Sequence, residues 1–237
     1  RLTTGRMLGL LLAMNVVAYD AAASREFQTI YSIGGYRVKT PASLGTAVKL
    51  LARDEPAVRV AWQQVEERAR NAFRAPLRLA PLGVPLQQAL ANNELNEDAA
   101  RTLVALTYAF CVTGNQHYRA KSLEYLRAFA TTFPAGALAM GVETNHQRHT
   151  LYARDWLPNL ALAYDVLYND MSSAERNAYG AWLRGTVGFI QQQANWDKVR
   201  RTSHAAWYAA AVGIVGSAIG DDRMVQIAEQ RMRVVCD

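Results

Sequence analysis

Cysteine and histidine are scarce in this chain, with two of the first and four of the second among 237 residues. Cys111 and Cys236 lie far apart and show no metal-ligand spacing, which excludes a zinc finger and a disulfide framework but leaves a single bridge open. Cys111 falls inside an apolar helical run, where a free cysteine packs as a small hydrophobe. His146 and His149 have a spacing that zinc can use, yet no third ligand is marked beside them, so neither a metal nor a cofactor is expected. Alternating, strand-like stretches are nearly absent except around Tyr31 to Val38, which excludes a sheet-dominated core. Beyond the N-terminal segment no run is long and apolar enough to cross a bilayer, so no stable membrane span is expected. No strict repeat is visible. A nucleic-acid partner has only the basic charge in its favour and no motif, and is not expected.

With 51% hydrophobic and 19% charged side chains, the chain can bury a sizeable core as one large domain or half of one. Lys and Arg outnumber Asp and Glu by 26 to 20, and the pI near 9.5 suits a polyanionic partner. Charge alone does not separate an acidic polysaccharide from a membrane surface, or either from a plain solvated basic face. Near the start, Arg1 and Arg6 precede the apolar run Met7 to Val17 and then Ala21, Ala22 and Ala23, the three-part form of a secretory leader. Residues 1–24 are read as such a leader, which implies a periplasmic or secreted protein, or as a packed N-terminal helix, which Asp20 favours.

Apolar positions recur at helical spacing along most of the sequence, so the chain reads as all-α. The spacing predicts helices over Pro41 to Arg53, Pro56 to Phe73, Glu97 to Val112, Gln116 to Phe133, Thr150 to Tyr168, Ser172 to Gln193, Ser203 to Ile219 and Asp221 to Val235. Pro56 suits a first turn, Gly114 a helix end, and Ser172-Ser173-Ala174-Glu175 a capping box. Short links at Thr113 to Asn115 and at Gly220 predict antiparallel hairpins, and their succession suggests a toroid or solenoid. Longer connections, Ala75 to Asn96, Pro134 to His149 and Ala194 to Thr202, are where binding groups gather on a helical scaffold.

The segment Thr202-Ser203-His204-Ala205-Ala206-Trp207-Tyr208, running into an Ala-rich helix, resembles the Asn-His-x-x-Trp segment of polysaccharide lyases of the alginate lyase and heparinase II/III type. In the same order, Arg154-Asp155-Trp156 with Leu160 to Leu167 resembles the helix preceding the catalytic one. Leu103 to Phe129 resembles a helical hairpin of the family, and Leu51 to Ala72 its N-terminal helices. The resemblance implies an incomplete (α/α) toroid, here a single helical domain over residues 1–237 shortened on its C-terminal side, around a cleft for acidic sugar chains. Two departures stand out. Ser203 replaces the asparagine whose amide helps neutralise the substrate carboxylate. The catalytic tyrosine of such lyases lies on a later helix, and none of the eleven tyrosines here takes that role by motif. The expectation is therefore weak activity without residues further on.

Such an enzyme cleaves a uronate chain by β-elimination. It neutralises the carboxylate, removes the C5 proton and protonates the leaving O4 oxygen. The resemblance makes His204 the base, with Ser203 beside it, and a helix N-terminus would hold that imidazole neutral. Arg154 can pair with a carboxylate in bidentate fashion or hold Asp155. Trp207, one turn after His204, and Trp156 can stack on a sugar or pack in the core. The loop Thr144 to His149, with Asn145, His146 and Arg148, is the main substrate-binding candidate; Asn145-His146 competes with Ser203-His204 as the family pair. Asn195 to Arg201 could guide a polyanion or be a plain solvated loop. Two other classes stay open: an inverting (α/α)-barrel glycoside hydrolase using Asp155 and Asp165, and a non-catalytic helical scaffold.

Overall fold

Helix ends are set by residues whose side chains complete the unpaired backbone groups there. Thr40 Oγ1 accepts from the Ser43 amide at 3.2 Å while Ser43 Oγ accepts from the Thr40 amide at 2.9 Å, and Pro41 follows in the first turn. Ser172 and Glu175 repeat the device, the Ser172 amide donating to Glu175 Oε2 at 2.9 Å and the Glu175 amide to Ser172 Oγ at 3.2 Å. Gly114 and Gly220 take φ of 71° and 70°, the left-handed conformation that turns the chain out of a helix. Asn115 and Asp221 then cap the next helix in each case, accepting from the His117 amide at 2.9 Å and the Met224 amide at 3.1 Å.

The computed structural model describes residues 31–33, 36–38, 40–80, 86–133, 146–193 and 203–236. Among them are eight α-helices: α1 (Pro41–Asp54), α2 (Pro56–Asn71), α3 (Leu86–Thr113), α4 (Gln116–Thr132), α5 (His146–Leu167), α6 (Ser173–Gln193), α7 (Ser203–Ile219) and α8 (Asp222–Cys236). A 3-10 turn, Tyr168–Asp170, closes α5, and strands β1 (Tyr31–Ile33) and β2 (Tyr36–Val38) pair antiparallel with Tyr31 opposite Val38. The all-α reading holds.

Side-chain pairs fix how the helices run. Thr107 meets Ser122 across the α3–α4 hairpin. Arg119, at the start of α4, donates to the Asp170 carbonyl at 2.6 Å beyond the end of α5, while Phe129 and Phe133, at the other end of α4, touch Trp156 in the middle of α5. Tyr164 donates to the Arg176 carbonyl at 3.2 Å, so α6 runs back along α5. The first turns of α1 lie against the last turn of α3, so close that a Cβ on Gly45 would stand 2.1 Å from the Cys111 carbonyl oxygen. Gly216 and Gly213 likewise let α8 lie on α7, facing Met224 and Ala228.

The core centres on α5, which packs against α3, α4, α6 and α7. Trp156, Leu157, Leu160, Ala161, Ala163, Tyr164, Val166 and Leu167 are all buried, too many for one stripe, which marks a helix covered on most sides. Cys111 is a free thiol, so the bridge left open by sequence is not formed.

Two helices start earlier than their sequence suggests. α3 begins at Leu86 rather than Glu97, because the Asn-rich stretch before Glu97 is inward-facing helix, not loop. The fully buried Asn96 amide bonds both the N–H and the C=O of Ala80 at 2.9 Å, as a strand neighbour would. α5 begins at His146 rather than Thr150, so His146 to His149 form its first turn instead of part of a loop.

Candidate active site

The sequence places a serine and a histidine at the start of an Ala-rich helix, and Ser203 and His204 are the first two residues of α7. The first amides of a helix have no partner within it and carry its positive end, so this position favours an anion and disfavours a charged imidazole. One turn on, Trp207 is 51% exposed, whereas Ala205 and Tyr208 are buried. The alanines and glycines that follow admit α8 at close range.

On α5, His146 and Arg148 occupy the first turn and Arg154 stands two residues before Trp156. Asn145 and the segment Asn195 to Arg201 lie outside the described residues. Pro158 lacks the amide that would bond the Arg154 carbonyl, leaving that oxygen available to another donor. Of the two roles the sequence leaves open for Trp156, packing in the core is the one its surroundings allow, against its place in the sequence reading among residues that contact substrate. Its side chain is fully buried, with ring centroids 5.5 Å from both Phe129 and Phe133, which leaves no face for a sugar. Trp207, by contrast, is half exposed.

Trp182 was not singled out by sequence. Its Nε1 donates to the Phe133 carbonyl at 2.5 Å, tying α6 to the end of α4 beside the Trp156 cluster. Only its lone tryptophan character signalled it. The carboxylate pair of the hydrolase alternative fails on geometry. Positions 155 and 165 are separated along α5 by about 15 Å, against roughly 6.5–9.5 Å for an inverting pair. Asp165 is also buried. Burial pushes the phenols of Tyr108, Tyr125 and Tyr179 upward, away from the range in which a tyrosine shuttles protons near neutral pH.

A helical chain of packed hairpins with a histidine opening an inner helix is the setting of sugar-chain lyases, and comparison with known proteins agrees. The family model for alginate lyase matches residues 60–236, from the first turns of α2 to the end of α8. An alginate lyase of Stenotrophomonas maltophilia (strain K279a) is 24% identical over 177 residues, covering 71% of this chain. This chain belongs to the alginate lyase family. It spans about a quarter of the length of that curated relative (24%).

Proposed function

We propose that this chain carries the base of a polysaccharide lyase that cleaves an acidic, uronate-containing polysaccharide, alginate-like or a glycosaminoglycan, by β-elimination. The observation that carries the reading is the family match running through α7, where Ser203-His204 opens the helix and Trp207 is exposed one turn later. His204 removes the C5 proton as the C4–O4 bond breaks and a C4=C5 double bond forms, and the departing O4 oxygen takes a proton from a general acid. Ser203 and Arg154 neutralise the carboxylate, with Ser203 donating one hydrogen bond where an asparagine amide would offer two. Asn145, His146 and Arg148 hold neighbouring sugars, and Trp207 offers a stacking face.

Support comes from helix direction. α5 begins at the end of the molecule where α4 stops, and α6 returns to that end. This alternation is also what an incomplete (α/α) toroid requires. Location in the periplasm or outside the cell belongs to the same proposal, since the polymer is extracellular in kind.

The test is formation of unsaturated uronate, read by its ultraviolet absorbance, with polymannuronate, polyguluronate and heparin as substrates. A positioned base contributes about 10²- to 10⁴-fold, so His204→Ala in whichever length of the polypeptide is active should lose at least that much. Unchanged turnover in the variant removes His204 from the mechanism. Reducing sugar released without unsaturation removes β-elimination.

A further inference from the structure

At the end of the molecule opposite the start of α5, α2 and α3 stop and α4 begins. There Phe73 and Tyr118 form a pair, with ring centroids 5.6 Å apart and planes inclined by 59°. Tyr118 packs into the core edge, while Phe73 is 49% exposed. That exposure is held in place by the backbone. The Phe73 amide donates to the Arg70 carbonyl at 3.2 Å, the Arg74 amide to the Asn71 carbonyl at 2.9 Å, and Ala72 between them is buried. The chain turns here so that Ala72 points in and Phe73 points out.

The two chain segments that carry the pair hold one sign of charge. Residues 68–80 contain Arg68, Arg70, Arg74 and Arg78 and no carboxylate; residues 113–123 contain His117, Arg119 and Lys121 and no carboxylate. Arg68, Arg119 and Lys121 are engaged by Asp98, Asp170 and Glu124, and Arg70 lies 3.9 Å from Glu66. Among the described residues, Arg74 is exposed and meets no carboxylate; it reaches the Asn71 side-chain oxygen, at 3.4 Å. An aromatic face beside an unneutralised guanidinium group matches a sugar ring bearing a carboxylate: the C–H face of the ring lies on the aromatic, and the carboxylate takes the fork.

We infer that Phe73 and Tyr118, with Arg74, form a second binding surface for an acidic saccharide chain, separate from the one that His146 and Arg148 would offer in the first turn of α5. The inference rests on the polyuronate reading above. α4 alone separates the two ends by about 25 Å. The surface therefore engages long chains and is indifferent to fragments that fill the first site.

The experiment measures binding and cleavage of long polymannuronate and of a mannuronate trisaccharide by wild type, Phe73→Ala, Phe73→Trp and Arg74→Gln. Calorimetry reports affinity, and circular dichroism reports helix content. Phe73→Ala is expected to bind the polymer about tenfold more weakly, the size of one lost aromatic contact, with the trisaccharide unaffected. Phe73→Trp should keep or raise polymer affinity. The arginine variant should weaken polymer binding and flatten its salt dependence. Polymer affinity equal to wild type in Phe73→Ala, or equal losses with Ala and Trp, overturns the surface while leaving the lyase reading intact if cleavage persists. A wild-type protein that neither binds nor cleaves any polyuronate overturns both.

Discussion

Replacing Trp156 separates the two roles that its sequence position allows. The side chain is fully buried against Phe129 and Phe133 on the central helix. Trp156→Ala removes that contact and leaves a cavity that closely packed neighbours fill only in part, at a cost of about 3–5 kcal/mol. With a urea dependence of about 3 kcal/mol per molar, the unfolding midpoint should fall by roughly 1–1.7 M. Trp156→Phe is the informative partner. The indole Nε1 is buried with no acceptor among its neighbours, a penalty of about 1–3 kcal/mol that phenylalanine removes. Phenylalanine also leaves a smaller void, so this variant should lie within about 2 kcal/mol of wild type. The assay is urea unfolding followed by far-ultraviolet circular dichroism, with KM for polymannuronate measured alongside. An unchanged midpoint in Trp156→Ala together with a raised KM would refute the packing argument and return Trp156 to the substrate site.

Two glycines predict opposite signs. Gly45→Ala drives a methyl into the Cys111 carbonyl, 2.1 Å from its ideal position, and should destabilise by about 1–3 kcal/mol as α1 lifts off α3. Gly188→Ala meets nothing within 4 Å inside α6 and should gain about 0.5–1 kcal/mol; equal effects in thermal unfolding would show that helix spacing is not what fixes Gly45. The Glu175 carboxyl is held below its usual range by the Ser172 amide first, then by the Ser172 hydroxyl and Arg127. Its folded pKa lies below its unfolded one, so its contribution is present above about pH 4.3 and is lost as pH falls through the folded value. Glu175→Gln should narrow the difference between urea midpoints at acid and neutral pH, and an unaltered difference would place the acid sensitivity elsewhere.

Helix α7 was legible to the residue, from Ser203 to Ile219, because a capping serine and a glycine turn bracket an unbroken Ala-rich run. The turns at Gly114 and Gly220 were legible for the same reason. The first part of α3 was not, since Asn92, Asn93 and Asn96 face inward, and a buried amide face looks like a loop when polarity stands for exposure. Trp156 and Trp207 are alike as letters in a helical pattern. Only packing separates them, because burial depends on which neighbouring helix lies across each one. Ser203 and His204 were found through resemblance to a family, and periodicity alone would have left them as an ordinary helix start. The Phe73–Tyr118 pair joins two segments distant in sequence, and no local pattern announces it.

Strings of helical hairpins, in which each unit touches only its neighbours, can melt from the ends one unit at a time. The covered helix α5 changes that. It supplies core side chains toward α3, α4, α6 and α7 at once, so no cut through the chain leaves two pieces that each keep an intact interior. A nick between α4 and α5 would strip the Phe129 and Phe133 rings from Trp156, and one between α6 and α7 would uncover the far side of α5. The described helices from α3 to α7 therefore form one cooperative unit. Their slowly exchanging amides should share a single opening free energy rather than grade from one hairpin to the next.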